Sequence, residues 1–241
     1  MHMNIFRIVL LIIILAIGLP SHGTSAESPV ADQDEVNAQL LSDGSDLLIA
    51  GRPKEAIEYF EKAAVDYEEK YKNDATKIFC ARSEEETMLY LLQAAINKDG
   101  NTKVVSADWA YAYYMKAIAL IDLGKLSEAK VSMERALTLS PSNSVFLSGL
   151  GHIYQYEKNW PMALQIYQRA EEAANAYSPP ESRNVELSRA WRGIGYVYVE
   201  LNKIDEAEKM FRQCLELDKY DQIALKELRY VQDLRAKSGG R

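Results

Sequence analysis

The sequence predicts an all-α solenoid, a row of antiparallel helical hairpins that each bury an apolar face on the next. Three observations predict it. The first is a period of 34 residues, which separates Ala117 from Gly151, Ala129 from Ala163 and Ala136 from Ala170. Each is a small residue among apolar ones, and a period of roughly 20–50 residues marks units too thin to fold alone. The second is the spacing inside one period. Tyr113, Ala117 and Leu120 are four and three apart, a turn follows at Leu123-Gly124-Lys125, and Ala129, Met133 and Ala136 lead to a stop at Ser140-Pro141. Such spacings share one face of a helix, and proline ends the helix because it has no N–H to donate. The third is composition: 48% of the 241 residues are hydrophobic, enough for a sizeable core, while 12 glycines and 7 prolines are modest for a β-rich chain.

Taken in order, the chain opens on a separate object. Met1–Arg7 carries one cationic side chain, Ile8–Ile17 is an unbroken apolar run, and Gly18-Leu19-Pro20 breaks it. Thr24-Ser25-Ala26 then offers small residues to a peptidase. This is the layout of a secretory signal peptide over 1–26, with cleavage expected after Ala26 and a periplasmic or extracellular destination. Retention as a membrane anchor is the competing reading, against which the apolar run is only about half a bilayer-spanning length. Residues 27–36 are a polar, proline-containing lead-in.

The first repeat is expected over 37–70, with Pro53 in the first turn of its second helix. Residues 71–109 break the period, because Ala56 and Ala129 are 73 residues apart, two periods and five residues more. A helical insert or a degenerate repeat fills the gap. Ser83-x-x-Glu86 is a capping box opening a helix with Met88, Leu91, Leu92 and Ala95, and Lys98-Asp99-Gly100-Asn101 closes it with turn residues. Lys77-Ile78-Phe79-Cys80 has no helical period and reads as extended, so one helix and an irregular arm are expected. Repeats follow over 110–143 and 144–177. Ala163 and Ala207 are 44 residues apart, and the ten extra residues, 178–187 with Pro179-Pro180, must leave the stack as a loop or lengthen the helices beside it; a connecting loop is expected. The fourth repeat covers 188–221. Residues 222–236 form a capping helix, with Arg229 where the other blocks carry a small residue, and 237–241 are a tail.

Aligned from Asn37, Ala110, Ser144 and Ser188, the blocks agree at several positions. The eighth is Gly44, Ala117, Gly151 and Gly195; the twentieth is Ala56, Ala129, Ala163 and Ala207. The twenty-fourth is Phe60, Met133, Tyr167 and Phe211, and the twenty-seventh is Ala63, Ala136, Ala170 and Cys214. In this pattern the chain resembles the tetratricopeptide repeat family. It departs from the family at the seventh position, where Asp43 and Lys116 replace an apolar residue, and a closing proline occurs only as Pro141.

The resemblance implies antiparallel helix pairs wound into a right-handed superhelix, with the first helix of each pair lining a concave groove. Carried onto this sequence, the lining is Tyr111, Tyr114, Ile118 and Ile121, then Ser148, His152, Gln155 and Tyr156, then Arg189, Arg192, Tyr196 and Glu200. Tyrosine gives large amphipathic contact area with few torsions to freeze, and arginine grips a carboxylate through two hydrogen bonds. A groove for a protein or peptide segment with an acidic group near Arg189 and Arg192 follows. The competing reading packs these tyrosines between adjacent first helices and pairs the arginines with the chain's own acids. Self-association into a scaffold is the alternative function.

Other functions find little in the sequence. A formal charge of −7, made one unit more negative by loss of Arg7, repels phosphate backbones and argues against nucleic acid. His152 is the one histidine outside the signal segment, so neither a metal nor another cofactor is expected. No glycine-rich phosphate loop or nucleophile elbow occurs, and Glu84-Glu85-Glu86 suits a helix N-terminus. The chain therefore reads as non-enzymatic; a hydrolase would need carboxylates converging in a deep cleft. Cys80 and Cys214 are separated by two full repeats, too far for the roughly 7 Å that a disulfide spans, and are expected as free thiols.

Overall fold

Four hairpins and a closing helix make a continuous stack. The structure, a computed structural model, describes residues 32–239; the expected signal peptide and the start of the lead-in lie outside them. The hairpins are α1 (Gln33–Ile49) with α2 (Pro53–Tyr71), α4 (Asp108–Asp122) with α5 (Leu126–Leu139), α6 (Ser144–Tyr156) with α7 (Trp160–Tyr177), and α8 (Pro180–Glu200) with α9 (Ile204–Leu217). Between the first two lie β1 (Lys77–Ala81), α3 (Glu84–Asn97) and β2 (Thr102–Ser106), and α10 (Gln222–Gly239) ends the array. The second helix of each hairpin packs on the first helix of the next: α2 on α4, α5 on α6, α7 on α8, and α9 on α10.

The repeat pattern is the packing of these rods. The twentieth-position alanines, Ala56, Ala129, Ala163 and Ala207, are all fully buried. The eighth position is small because the twenty-fourth fills the same space. A Cβ on Gly44 would stand 2.6 Å from the Phe60 ring, one on Gly151 2.9 Å from Tyr167, and one on Gly195 2.8 Å from Phe211. Each hairpin turns through one residue with left-handed backbone, and it falls at the fifteenth position every time: Gly51 at φ 73°, Gly124 at 74°, Lys158 at 55° and Asn202 at 57°. Glycine adopts this region freely, whereas Lys158 and Asn202 hold it because hydrogen bonds from the next residue to the first helix close the turn.

Residues 71–109 hold the expected helix and the expected extended stretch at 77–80, but are neither a degenerate repeat nor a helix with an irregular arm. They fold as a β–α–β unit in which β1 and β2 pair in parallel, from Lys77 opposite Thr102 to Ala81 opposite Ser106. The unit bulges from the stack without interrupting it, since α2 still packs directly on α4. Within α3 the buried face is Glu86, Tyr90 and Ala94, while Met88, Leu91, Leu92 and Ile96 face solvent. The capping box is half formed: Ser83 Oγ accepts from Glu86 N–H at 3.2 Å, but the Glu86 carboxylate reaches one residue further back, to Arg82 N–H at 2.8 Å.

Of the two readings of 178–187, the structure shows the lengthened helix and not the loop. Pro179 caps α8, and Pro180 occupies the first helical position, where a missing N–H costs nothing. The ten extra residues therefore lengthen α8 to 21 residues, and Glu186 and Leu187 on the extension are buried. At the N-terminal end α1 begins at Gln33 inside the expected lead-in, capped by the Asp32 side chain. In α10, Ala224, Leu228 and Val231 are the buried residues, with Leu225 only half-buried and Arg229 exposed.

Candidate functional site

First helices α4, α6 and α8 lie in a row, each packed on the next. Between α4 and α6 stands an aromatic trio: Tyr114 stacks on Phe146 with centroids 4.9 Å apart, and Tyr111 meets Phe146 edge-on at 5.4 Å and Tyr114 at 5.9 Å. From α8, Arg189 Nη1 reaches across to donate to Tyr114 Oη at 3.4 Å. On α6, His152 and Tyr156 lie ring against ring at 4.6 Å.

This arrangement divides the twelve expected lining residues. Tyr114, Ile118, Ser148 and Gln155 are no more than 7% exposed, so the packing reading holds for them. Gln155 is fully engaged: its Oε1 accepts from Tyr167 Oη at 2.8 Å, and its Nε2 donates to the Gly193 carbonyl at 3.4 Å. Arg192 is a further correction, because it forms an ion pair with Asp221, whose other oxygen caps α10 through Ile223 N–H at 3.0 Å and Ala224 N–H at 3.1 Å. It fastens the last helix to the stack instead of waiting for a partner. Tyr111, Ile121, His152, Arg189 and Tyr196 are half-buried, and Tyr156 and Glu200 are exposed. Arg189 differs from Arg192: among the described residues no carboxylate oxygen comes within 4.0 Å of it.

The electrostatics give the row two different ends. Burial raises the Tyr111 hydroxyl pKa; the Arg82 and Arg189 charges oppose that effect, while Tyr114 and Glu186 add to it. Burial raises Tyr156, with Asp122 adding to it, and burial followed by Glu200 raises Tyr196. Arg189 thus sets a positive charge beside Tyr111, while Asp122 and Glu200 set negative charge beside Tyr156 and Tyr196.

His152 is held neutral. Burial first, and the Arg189 charge second, lower its pKa to about 4. The unfolded chain takes up a proton near pH 6.5, so stability present above that value is lost as pH falls towards about 4. We expect up to about 2 kcal/mol of loss between pH 6.5 and 5, above the range where carboxylates dominate. His152→Gln should flatten that part of a urea-denaturation profile, since no other histidine lies in 32–239. An unchanged slope would show that the imidazole is not buried in neutral form.

Behind the row lies a cluster that sequence reasoning missed. Arg82, at the end of β1, donates through Nε at 3.0 Å and Nη2 at 2.7 Å to Glu86 Oε1, and through Nη1 at 2.8 Å to Glu186 Oε1 on α8. Ser144 and Ser178 both donate to Glu186 Oε2. Ser83 Oγ donates to the Tyr177 carbonyl at 3.3 Å, and Ser140 Oγ to the Cys80 carbonyl at 2.6 Å. The β–α–β unit is thus locked onto the edge where second helices end and first helices begin. Cys80 and Cys214 are free, buried thiols, both pushed up to about 12 by burial. Among the described residues no three His, Cys, Asp or Glu side chains gather in a metal-holding group, and no helix is long and apolar enough to cross a membrane.

Comparison with known proteins agrees with this geometry. Sequence models of the tetratricopeptide repeat match residues 110–143 and 144–219. The structure is similar to Pseudomonas aeruginosa pilF, with 16% identity and a TM-score of 0.58 over 85% of this chain and 71% of that one. It is also similar to MamA from Desulfovibrio magneticus RS-1 (residues 41 to the end), at 17% identity and a TM-score of 0.53 over 86% and 88% of the two chains. At these identities the likeness is one of fold. No curated protein matches the chain.

Proposed function

Because this chain belongs to the tetratricopeptide repeat family, we propose that it is a non-enzymatic protein-recognition module, an adaptor or assembly subunit that receives a partner segment along its first helices. The observation that carries the reading is Arg189. It is half-buried beside Tyr111, Tyr114 and His152, with no carboxylate of the described chain in ion-pair reach. A guanidinium so placed, already partly stripped of water, suits a partner carboxylate, and the surrounding rings supply apolar contact. Tyr156, Tyr196 and Glu200 continue the surface towards its anionic side. The signal-like segment 1–26 supports a place in the cell envelope after export; protein recovered only from cytosol with Met1 intact would remove that part.

The test uses immobilised protein and an envelope extract. Arg189→Glu should reduce retention of the specific partner by about 10–100-fold, the loss typical when a charged hydrogen-bonding group is removed. Its urea midpoint should stay near wild type, and Arg189→Lys should keep part of the binding. Charge reversal at Arg192 is the wrong probe, because it would break the pair with Asp221. If Arg189→Glu retains the same proteins at the same yields, the row of first helices is not the binding surface.

A further inference from the structure

The outward face of α3 is the largest departure from ordinary surface chemistry among the described residues. Met88 and Ile96 are each 70% exposed, Leu92 57% and Leu91 44%, and Ala95 between them is exposed too. Placed at i, i+3, i+4 and i+8, they form one continuous stripe, where an isolated surface helix would carry charge. A contiguous apolar patch of this kind on a soluble chain marks a contact surface. The helix also inverts the usual pattern, since its buried side carries Glu86, held by Arg82.

We propose that this stripe is where a second copy of the chain docks, α3 against α3 in antiparallel sense about a two-fold axis. The charges at its two ends specify the occupant. Glu84 and Glu85 stand exposed at the N-terminal end, and Lys98 is exposed at the C-terminal end. An axis passing beside Leu92 sets Met88 of one copy against Ile96 of the other, and brings Glu84 and Glu85 of each near Lys98 of its mate. The surface is then complementary to itself in shape and in sign, as a two-fold interface requires. A parallel arrangement would set like charges together at both ends. The flanking lysines Lys77 and Lys103 are each already paired, with Asp99 and Asp74, so the patch lacks the free cationic rim that an anionic lipid surface would need. One helix face is small beside the roughly 1,200–2,000 Å² of a standard interface, so the dimer should be weak and concentration-dependent, in the micromolar range. It lies on the insert and uses none of the residues around Arg189, so two copies would present two partner-binding rows.

Sedimentation of the purified protein across a concentration series tests this. Wild type should pass from monomer to dimer, and Leu92→Lys should weaken association at least tenfold with an unchanged far-ultraviolet spectrum. Lys98→Glu alone, and Glu84→Lys with Glu85→Lys, should each self-associate less than wild type. Mixing the two variants should restore a dimer, because each then meets opposite charge at both ends. A monomer at every concentration would overturn the proposal. So would a dimer indifferent to Leu92→Lys, or charge variants that do not recover on mixing. Binding of a partner at Arg189 is a separate readout that none of these changes should move.

Discussion

Replacing Arg82 with methionine should lower stability at neutral pH by about 3–5 kcal/mol, the cost of leaving buried charge without its partner. Its side chain is only 9% exposed, and those of the two acids it holds, Glu86 and Glu186, are 0% and 3% exposed. Methionine keeps most of the volume, so the loss would come from stranded carboxylates and not from a cavity. Neutralising those acids in the same chain (Arg82→Met with Glu86→Gln and Glu186→Gln) should recover much of the loss, since an uncharged cluster has no desolvation debt. The pH dependence supplies a second signature. Burial alone would raise Glu186, but the Arg82 charge and the Ser144 and Ser178 hydroxyls outweigh it and hold the group below the usual glutamate range. A depressed carboxylate contributes stability above its unfolded pKa of about 4.3, and loses it as pH falls through the folded value. In Arg82→Met the Glu186 carboxylate loses that support and protonates earlier, so the deficit against wild type should shrink on acidification from pH 7 to about 4.5. Urea denaturation of wild type, single and triple variants at the two pH values decides it. A single variant within 1 kcal/mol of wild type, with no pH trend, would mean that the cluster stays hydrated.

The contrast between what the residues announced and what they concealed has a physical basis. Ala129, Ala163 and Ala207 were legible because their partners lie within one hairpin, and the same contact recurs every 34 residues. The eighth and twenty-fourth positions are likewise two ends of one contact. The β–α–β unit occurs once, its strands are five residues long, and neither alternates cleanly between buried and exposed. Pairing of Lys77 with Thr102 joins residues separated by a whole helix and leaves no periodic trace. Arg82 and Glu186 are further apart still, and a charged pair has no spacing rule by which to be found. At the candidate site the same limit applies. Position within the repeat put Arg189 and Arg192 on one surface, but only the turn before α10 determines that Arg192 meets Asp221. Arg189 remains available to an acid because, among the described residues, no carboxylate comes within ion-pair reach of it.

Tyr167→Ala should cost about 3–5 kcal/mol, as expected for deleting a buried aromatic ring. The ring is 3% exposed and wedges between two helices at their closest approach. A Cβ on Gly151 of α6 would lie 2.9 Å from it, and a Cβ on Gly193 of α8 only 2.3 Å. Its hydroxyl donates to Gln155 Oε1 at 2.8 Å, so truncation also leaves a buried amide oxygen without its donor. Gly193 is where the contact can be read most sharply. In the wild-type background Gly193→Ala forces a methyl group into a sealed ring and should destabilise by about 1–3 kcal/mol. In the Tyr167→Ala background the obstacle is gone, and alanine is the better helix former by about 0.5–1 kcal/mol, so the same substitution should stabilise. The sign of the effect therefore reverses between the two backgrounds, a coupling larger than the few tenths expected of independent sites. Four urea curves measure it. Equal costs in both backgrounds would mean that something other than the Tyr167 ring keeps position 193 bare, and that α6, α7 and α8 meet by a packing different from the one described.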